Sequence, residues 1–271
     1  LGLDIGLSTA RQFVNIPLSR NQAAPKPYNR LAAFDVRTGK LQWHLGGSPE
    51  EFGLDEAGTF FLGAPLPLMG RLYVLGESKG EIRLLALDAK TGRVLWRQQL
   101  AVAERDILSD PIRRLAGISP SYADGILICP TANRSIVALD LATQSLLWGY
   151  SYQQRTEQPQ IHAMFPGFRP VLDPDPAGRW SDAHVMLADG CALATPPDSD
   201  RIHCLGLLDG NVLWTQPRDD DLYLAGVWNG QAILVGRCRV RALRVADGSP
   251  AWDGRTVELP PGSTPSGWGF L

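Results

Sequence analysis

The chain has 271 residues, 44% of them apolar, and its 26 Lys and Arg against 28 Asp and Glu give a net charge of −2. This apolar content is ordinary for a soluble globular protein, and the near balance of charge, without a basic run or a basic stripe beside aromatics, excludes a typical nucleic-acid binder. No apolar stretch approaches the roughly 18–20 residues that span a bilayer. The start at Leu1, without a secretory leader pattern, predicts a piece of a longer polypeptide whose targeting sequence is gone.

One sequence motif recurs along the chain: a short apolar run, a tight turn of the type Asp-x-x-Thr-Gly, a second apolar run and a tryptophan. Clear copies occupy residues 33–43, 86–96 and 138–148, and weaker copies occupy 205–214 and 242–252. Self-similarity of this kind is typical of a fold assembled from one supersecondary unit. The spacing of about 50 residues between the clear copies suits a unit of four short strands.

The predicted strands follow the same order in each unit. One or two helical turns are predicted at about Pro49–Leu54, with Ser48 as the cap. The strands are then predicted at 60–62, 71–76, 82–87 and 94–98, at 119–122, 125–129, 135–139 and 146–150, and at 223–227, 231–235, 240–243 and through Trp252. The fourth unit is stretched by Pro-rich and Asp-rich inserts near 173–182 and 195–200.

The repeated turn has a physical basis. A glycine at position 92 can adopt the positive φ that closes such a loop, while Asp88 and Thr91 can bond nearby backbone amides. The same turn positions in the other copies are Asp35, Gly39, Asp140, Gly210 and Gly248. Gln144 replaces the glycine in the third copy, which predicts slight strain or a different turn there.

The strand at 82–87 is apolar on nearly every residue, so both faces of its sheet must be covered. Small four-stranded sheets stacked radially about an axis meet this demand, which favours an all-β fold, a β-propeller of four-stranded antiparallel blades. A two-layer sandwich is the alternative. We expect a single propeller domain or segment, about five blades of a larger ring, with blades at 1–47, 60–100, 116–152, 167–218 and 222–259 and the start of a further blade at 264–271.

The repeat Ala-x-Asp-x-x-Thr-Gly-x-x-x-Trp resembles that of the quinoprotein-like β-propellers. The match is complete at 33–43 and 86–96, and complete except for Gln144 at 138–148. The resemblance implies that the repeat tryptophans dock between blades; these are Trp43, Trp96, Trp148, Trp214 and Trp252. It also implies a periplasmic or extracellular location. The repeat serves pyrroloquinoline quinone dehydrogenases, the non-catalytic lipoprotein of the outer-membrane β-barrel assembly machinery, and sensor or scaffold domains, and the chain resembles the lipoprotein type more than the dehydrogenases.

In the dehydrogenases the resemblance would imply a quinone stacked on a tryptophan, a bound Ca²⁺, a catalytic Asp and often a pair of adjacent cysteines. The chain has no Cys-Cys pair, and no Asp matches a catalytic motif. We therefore assign no catalytic, cofactor-binding or metal-binding residue and expect no cofactor.

The remaining motifs favour structural interpretations. Residues 173–178 imitate the start of a calcium loop, but Ala177 occupies the third ligand position, so a solvated Pro-Asp loop is expected. Residues 219–221 are interpreted as an acidic turn and 133–135 as a hairpin turn. The four histidines, His44, His162, His184 and His203, show no metal-ligand spacing. The four cysteines, Cys129, Cys191, Cys204 and Cys238, spell no zinc or redox motif and are interpreted as small apolar side chains or, alternatively, as including a Cys191–Cys204 disulfide.

The connections after each fourth strand are long for a propeller, at 49–54, 101–116 and 152–167. They are expected on one face, where a partner surface would include Phe52, Arg105, Arg113, Arg114, Tyr152, Arg155 and Phe165. The sequence therefore predicts a non-catalytic scaffold or ligand sensor in an extracytoplasmic assembly, with another protein as partner and no membrane-spanning segment, although missing termini could associate with a membrane. A fragment of a quinone-dependent alcohol or sugar dehydrogenase is the alternative, and the sensor region of a larger signalling protein is a third hypothesis.

Overall fold

Antiparallel β-sheet accounts for nearly all of the regular structure in the computed structural model, which describes residues 3–8, 28–51, 53–152, 179–263 and 265. The chain divides into two compact units, residues Leu1–Pro120 and Ser121–Leu271, called unit 1 and unit 2. In the described part of the chain the longest helix has five residues, far short of a length that could cross a membrane.

Unit 1 contains two antiparallel sheets. The first sheet consists of β1 (Leu3–Ser8), β2 (Arg30–Asp35) and β3 (Leu41–Gly46). The second consists of β4 (Phe60–Phe61), β5 (Leu66–Leu68), β6 (Arg71–Ser78), β7 (Glu81–Asp88) and β8 (Val94–Val102), with β4 and β5 both paired to β6. The connection that follows β8 holds a 3₁₀ turn at Ile107–Ser109 and helix α1 at Pro111–Leu115.

Unit 2 contains three four-stranded antiparallel sheets. The third sheet of the chain is β9 (Ser121–Ala123), β10 (Ile126–Pro130), β11 (Ser135–Asp140) and β12 (Ser145–Ser151). The fourth is β13 (Val185–Ala188), β14 (Cys191–Ala194), β15 (Arg201–Gly206) and β16 (Val212–Pro217). The fifth is β17 (Asp221–Trp228), β18 (Gln231–Gly236), β19 (Arg239–Arg244) and β20 (Val257–Glu258).

The core lies between sheets that face each other, because the middle strands are apolar on both faces. Strand β7 buries Leu84, Leu85, Ala86 and Leu87 in succession, which confirms the expectation that both sides of its sheet are covered. In unit 1, Leu31 and Leu45 of the first sheet join Val74 and other side chains of the second in one cluster. Equivalent clusters join the third sheet to the fourth and the fourth to the fifth.

Two predicted elements are wrong. The fourth strand of the last sheet does not pass through Trp252, which instead lies in a 3₁₀ turn at Trp252–Gly254, and β20 forms the edge of the sheet. The pairing ends after a single bridge between Leu243 and Pro250, because Trp252 and Asp253 both take φ of +55°, which turns the chain away.

The second wrong element is the helical turn predicted between Pro49 and Leu54. The described residues there form separate turns, in which Glu51 N–H bonds Ser48 O and Leu54 N–H bonds Glu51 O. The Ser48 hydroxyl bonds the Glu50 carboxylate instead of capping backbone amides, so the first helical turn is not nucleated. Phe52 lies outside the described residues, as do the predicted loop at 173–178 and nearly all of 264–271.

Candidate functional site

The repeat tryptophans contact the neighbouring sheet at equivalent places. The indole N–H of Trp43 donates to the carbonyl of Ala89 at 3.2 Å. That of Trp148 donates to Leu207 at 3.0 Å, and that of Trp214 donates to Val245 at 2.7 Å. Each bond satisfies the polar edge of a large apolar side chain that is buried between sheets at Trp43 and Trp214 and partly buried at Trp148.

The three accepting residues occupy one position in the repeat. Their backbone N–H groups bond the carbonyls of the turn glycines Gly70, Gly190 and Gly230, at 3.3, 2.9 and 2.8 Å. The first turn and the third turn of each sheet are thereby tied together at the end of the sheet that receives the tryptophan. The other two repeat tryptophans differ: Trp96 is half-buried, and Trp252 donates to the side-chain oxygen of Gln231 in its own sheet at 2.9 Å.

One extra residue precedes each tryptophan of the first four sheets. Trp96 lies opposite Ala86 while Val94 lies opposite Leu87, so that Leu95 is a bulge residue. The same register shift falls before Trp43, Trp148 and Trp214. A bulge bends its strand and increases the local twist, and here it lies directly before the indole and helps to set its direction.

The turn residues of the repeat make the bonds that close each loop. The Asp88 carboxylate accepts the N–H groups of Lys90 and Thr91 and the Thr91 hydroxyl at 2.8–3.0 Å, and Gly92 has φ of +73°. These bonds from threonine lower the pKa of the Asp88 carboxyl. Asp35 and Asp140 make the same bonds to Thr38 and Thr143, and the remaining turn glycines, Gly39, Gly210 and Gly248, have φ of +66°, +69° and +72°. Gln144 keeps the turn but with φ of +58°, so the third copy carries the backbone strain.

The residues predicted to form a partner surface do not all lie at the surface. Arg113 is almost fully buried, and Tyr152 is buried with its hydroxyl on Asp198 at 2.7 Å, so both belong to the core of their units. Arg105 is exposed and Arg114 is half-buried. Phe52, Arg155 and Phe165 lie outside the described residues, as does His162.

Arg113 anchors the connection that follows β8. Its Nε lies 2.6 Å from Glu77 Oε2, its Nη1 lies 2.7 Å from Asp110 Oδ2, and its Nη2 donates to the carbonyl of Arg105 at 2.5 Å. Burial raises the pKa of the Glu77 carboxyl, and the Arg113 guanidinium opposes that shift. The Asp110 carboxylate also caps α1 by accepting the N–H of Arg113. The anchored connection leaves Leu115 exposed at the end of α1, beside the half-buried Arg114.

A buried hydrogen-bonded network in unit 2 is absent from the sequence predictions. His203 Nε2 lies 2.9 Å from the Ser199 hydroxyl, and His203 Nδ1 lies 3.0 Å from the Tyr150 hydroxyl. Either tautomer of the imidazole satisfies both nitrogens, and burial lowers the His203 pKa to about 4, so the ring is neutral at neutral pH. The four-residue spacing of Ser199 and His203 across a strand entry is the one signal that could have indicated this pair.

The network holds structure together rather than presenting a nucleophile. Ser199 is buried, and its hydroxyl oxygen also accepts the N–H of Arg201 at 3.2 Å. The adjacent Asp198 accepts the N–H of Arg134 at 3.0 Å, which joins the turn at 131–134 to the loop at 195–200. A serine nucleophile must reach its substrate, and this one is enclosed by its own unit.

The aspartates of the acidic turn at 219–221 form ion pairs with arginines. Asp221 is fully buried and lies 2.6 Å from Arg241 Nη2, and Asp220 lies 2.9 Å from Arg239 Nη2. Burial raises the Asp221 pKa, and Arg241 opposes the shift. Within the described residues, no group of three or more His, Cys, Asp or Glu side chains is placed to hold a metal ion.

The cysteines of the described chain are free thiols, so the alternative of a Cys191–Cys204 disulfide is wrong for this structure. Both thiols are buried, one on β14 and one on β15, and burial raises the pKa of the Cys204 thiol. They act as small apolar side chains in the cluster between the fourth and fifth sheets.

A family model described as outer membrane protein assembly factor BamB matches residues 27–175, a little over half of the chain. The chain belongs to this family. The crystal structure of BamB from Moraxella catarrhalis is similar to 85% of the chain with a TM-score of 0.52 and 16% identity, which shows the fold alone. The fold class is therefore an all-β propeller of antiparallel sheets, with five sheets among the described residues.

The chain spans only part of these BamB-type and related proteins. It covers 60% of the length of the Moraxella BamB structure. A europium-containing methanol dehydrogenase matches 86% of the chain and 51% of its own length, with 15% identity and a TM-score of 0.44. A comparison with curated proteins returned no match.

Proposed function

We propose that this chain is a non-catalytic scaffold of the BamB type that binds another protein in an extracytoplasmic assembly, either periplasmic or at the outer membrane. The observation that carries the proposal is the match over residues 27–175 to a family of outer membrane protein assembly factors. Since the chain covers 60% of a BamB structure, the function of a complete BamB is proposed for it by similarity. The propeller supplies a rigid support from which connections between sheets can present side chains.

The connection between β8 and β9 is the proposed partner surface. Leu115 is 67% exposed at the end of α1, and Arg105 is exposed at the start of the same connection. Exposed leucine and arginine side chains on a fixed backbone are suited to an interface, because less ordering entropy is lost on binding. Arg113 supplies that fixation through Glu77, Asp110 and the carbonyl of Arg105.

The test compares the chain with the double variant Leu115→Asp/Arg105→Glu. Proteins that co-purify with the tagged chain from solubilised cell envelopes are quantified by mass spectrometry, and the partner identified is purified for direct titration. We expect the double variant to weaken the measured affinity at least about tenfold, as removal of a central apolar contact and a cation does in other interfaces. The variant Leu208→Asp, which alters a leucine of unit 2 that is 77% exposed, is the control and should bind like the unaltered chain.

Two results would contradict the proposal. One is a partner whose affinity is the same for the chain and for the double variant, which would remove the connection from the interface. The other is calcium-dependent oxidation of alcohols or sugars after addition of pyrroloquinoline quinone, which would support the dehydrogenase alternative. Far-UV circular dichroism of both variants establishes that they are folded.

A further inference from the structure

One end of the two sheets of unit 1 carries a group of exposed cations. They come from three turns: the turn between β2 and β3, the turn between β5 and β6, and the turn between β7 and β8. We call this surface the basic turn end, and define it by five exposed residues, Arg37, Lys40, Arg71, Lys90 and Arg93.

The three turns meet at the same end of unit 1. The N–H of Ala89, in the turn after β7, bonds the carbonyl of Gly70, in the turn before β6. The carbonyl of Ala89 accepts the indole N–H of Trp43, which lies four residues after Gly39. These two bonds bring turns that are distant in sequence onto one surface.

The cations of the basic turn end differ from four arginines elsewhere in unit 1. Arg30, Arg83 and Arg97 each pair with a glutamate, and Arg113 pairs with Glu77. Among the described residues, by contrast, none of the five cations at the basic turn end has a carboxylate oxygen within 4.0 Å. The turns contribute two carboxylates, Asp35 and Asp88, which are held by their own threonines, so five positive charges face two negative ones.

Apolar side chains stand among these cations at the tips of the turns. Met69 is 78% exposed at the first position of its two-residue turn, and Val36 is 55% exposed next to Arg37. An exposed apolar side chain at the tip of a turn can enter the boundary between lipid headgroups and acyl chains, while neighbouring Lys and Arg meet anionic headgroups.

We propose that the basic turn end docks the chain on the surface of a membrane that contains anionic phospholipids. Charge complementarity selects the lipid, and Met69 and Val36 add apolar contact. Nucleic acid is a weaker fit, since single strands need exposed aromatic rings for stacking and duplexes gain nothing from apolar tips. The proposal goes beyond the scaffold function, because the ligand is a lipid surface and the residues differ from those of the protein interface.

Vesicle flotation tests the proposal with the full 271-residue chain. Vesicles of phosphatidylcholine alone are compared with equimolar phosphatidylcholine and phosphatidylglycerol. Binding is expected only to the anionic vesicles and is expected to be lost at high salt, which screens exposed charges. The variant Lys40→Glu/Lys90→Glu should lower the partition coefficient at least about 20-fold, since each surface charge changes it roughly fivefold.

A control variant with the same change in net charge is available. Lys79 lies at the far end of β6 from Arg71, and Arg105 belongs to the proposed protein interface. The variant Lys79→Glu/Arg105→Glu should bind anionic vesicles within about twofold of the unaltered chain, because surface attraction falls off within a Debye length. The same variant would weaken the protein interaction, so failure of one proposal is distinguishable from failure of the other.

Three outcomes would overturn the proposal. They are equal binding by the Lys40→Glu/Lys90→Glu variant, an equal loss in the control variant, and binding of polyglutamate or duplex DNA without binding of anionic vesicles. The variant Met69→Ser separates the apolar contribution, and it should weaken binding to anionic vesicles without changing the salt dependence.

Discussion

The ring of Trp148 lies directly over the Cα atom of Gly210, so close that a Cβ added to this glycine would be 2.5 Å from the indole Cδ2. Gly92 under Trp43 and Gly248 under Trp214 show the same relationship, at 2.6 Å each. The repeat glycine therefore has two independent reasons to be glycine: its positive φ and the aromatic ring of the preceding sheet.

Replacement of Gly210 by alanine should cost roughly 2–4 kcal/mol of the free energy of unfolding, since the methyl group both strains the backbone and displaces Trp148. Gly190→Ala is a matched control in the same sheet. Its φ is +72°, yet a Cβ there meets no atom of the described residues within 4 Å, so only the backbone term of about 1 kcal/mol should appear. Urea unfolding followed by circular dichroism measures both, and equal losses would contradict a role for the ring contact.

The buried pair of Arg113 and Glu77 should be sensitive to removal of one partner. Arg113→Met leaves the Glu77 carboxylate buried without its cation, and we expect a loss of about 3–5 kcal/mol in unfolding free energy. The partly exposed pair of Arg83 and Glu81 is the comparison, and Arg83→Met should cost less than about 1 kcal/mol. The double variant Glu77→Leu/Arg113→Met should recover part of the loss, and a double variant as unstable as the single one would argue against an uncompensated charge as the cause.

His203 should make the stability of unit 2 depend on pH. Its pKa is about 4 in the folded chain against 6.5 for an unperturbed histidine, so the unfolded state binds the proton more tightly. The stability that the neutral ring contributes is fully present above about pH 6.5 and is lost as the pH falls towards 4, by up to about 3 kcal/mol. His203→Gln keeps a donor and an acceptor but does not titrate. The difference between the two unfolding curves isolates the histidine, and parallel curves between pH 7 and 4 would refute its neutral burial.

Gln144 offers a stabilising substitution. Gln144→Gly removes the cost of a left-handed side-chain-bearing residue and should raise the unfolding free energy by about 0.5–1 kcal/mol, after the larger entropy of the unfolded chain is included. Gln144→Ala is the control, because alanine retains the strain of a Cβ at φ of +58° and should leave stability nearly unchanged. A thermal midpoint that rises equally in both variants would assign the effect to the lost glutamine side chain.

Local signals in the sequence were sufficient for most strands of the second, third and fifth sheets, whereas the individual strands of the first and fourth sheets were not assigned. The run of apolar residues in strand β7 indicates that both of its faces are buried. The Asp88–Thr91 turn can be predicted because the aspartate and the threonine that it bonds are only three residues apart. The strand expected through Trp252 was wrong because the pattern of the repeat carried no sign of the two left-handed residues, Trp252 and Asp253, that turn the chain away after the bridge at Pro250.

The candidate surfaces depend on contacts between distant residues. Arginine in a loop is typically a surface residue. Arg113 is buried because it pairs with Glu77, which lies 36 positions earlier in the sequence. Tyr152 and Asp198 are 46 positions apart, and neither residue indicates the other in the sequence. The basic turn end arises in the same way, because Arg37, Arg71 and Lys90 are far apart in the sequence and its pattern of charges gives no sign that three turns meet.

A single extra residue lies before each of Trp43, Trp96, Trp148 and Trp214, so the number of residues between the turn and the indole is fixed by the bulge. Deleting Leu95 or Leu147 would leave the tryptophan opposite the same partner residue in a regular ladder, but it would remove the local bend and twist that the bulge gives to the strand beside the indole. The packing of neighbouring sheets therefore depends on an irregularity in the strand that carries the tryptophan, and a shorter stretch there would give a more regular ladder at the expense of that packing.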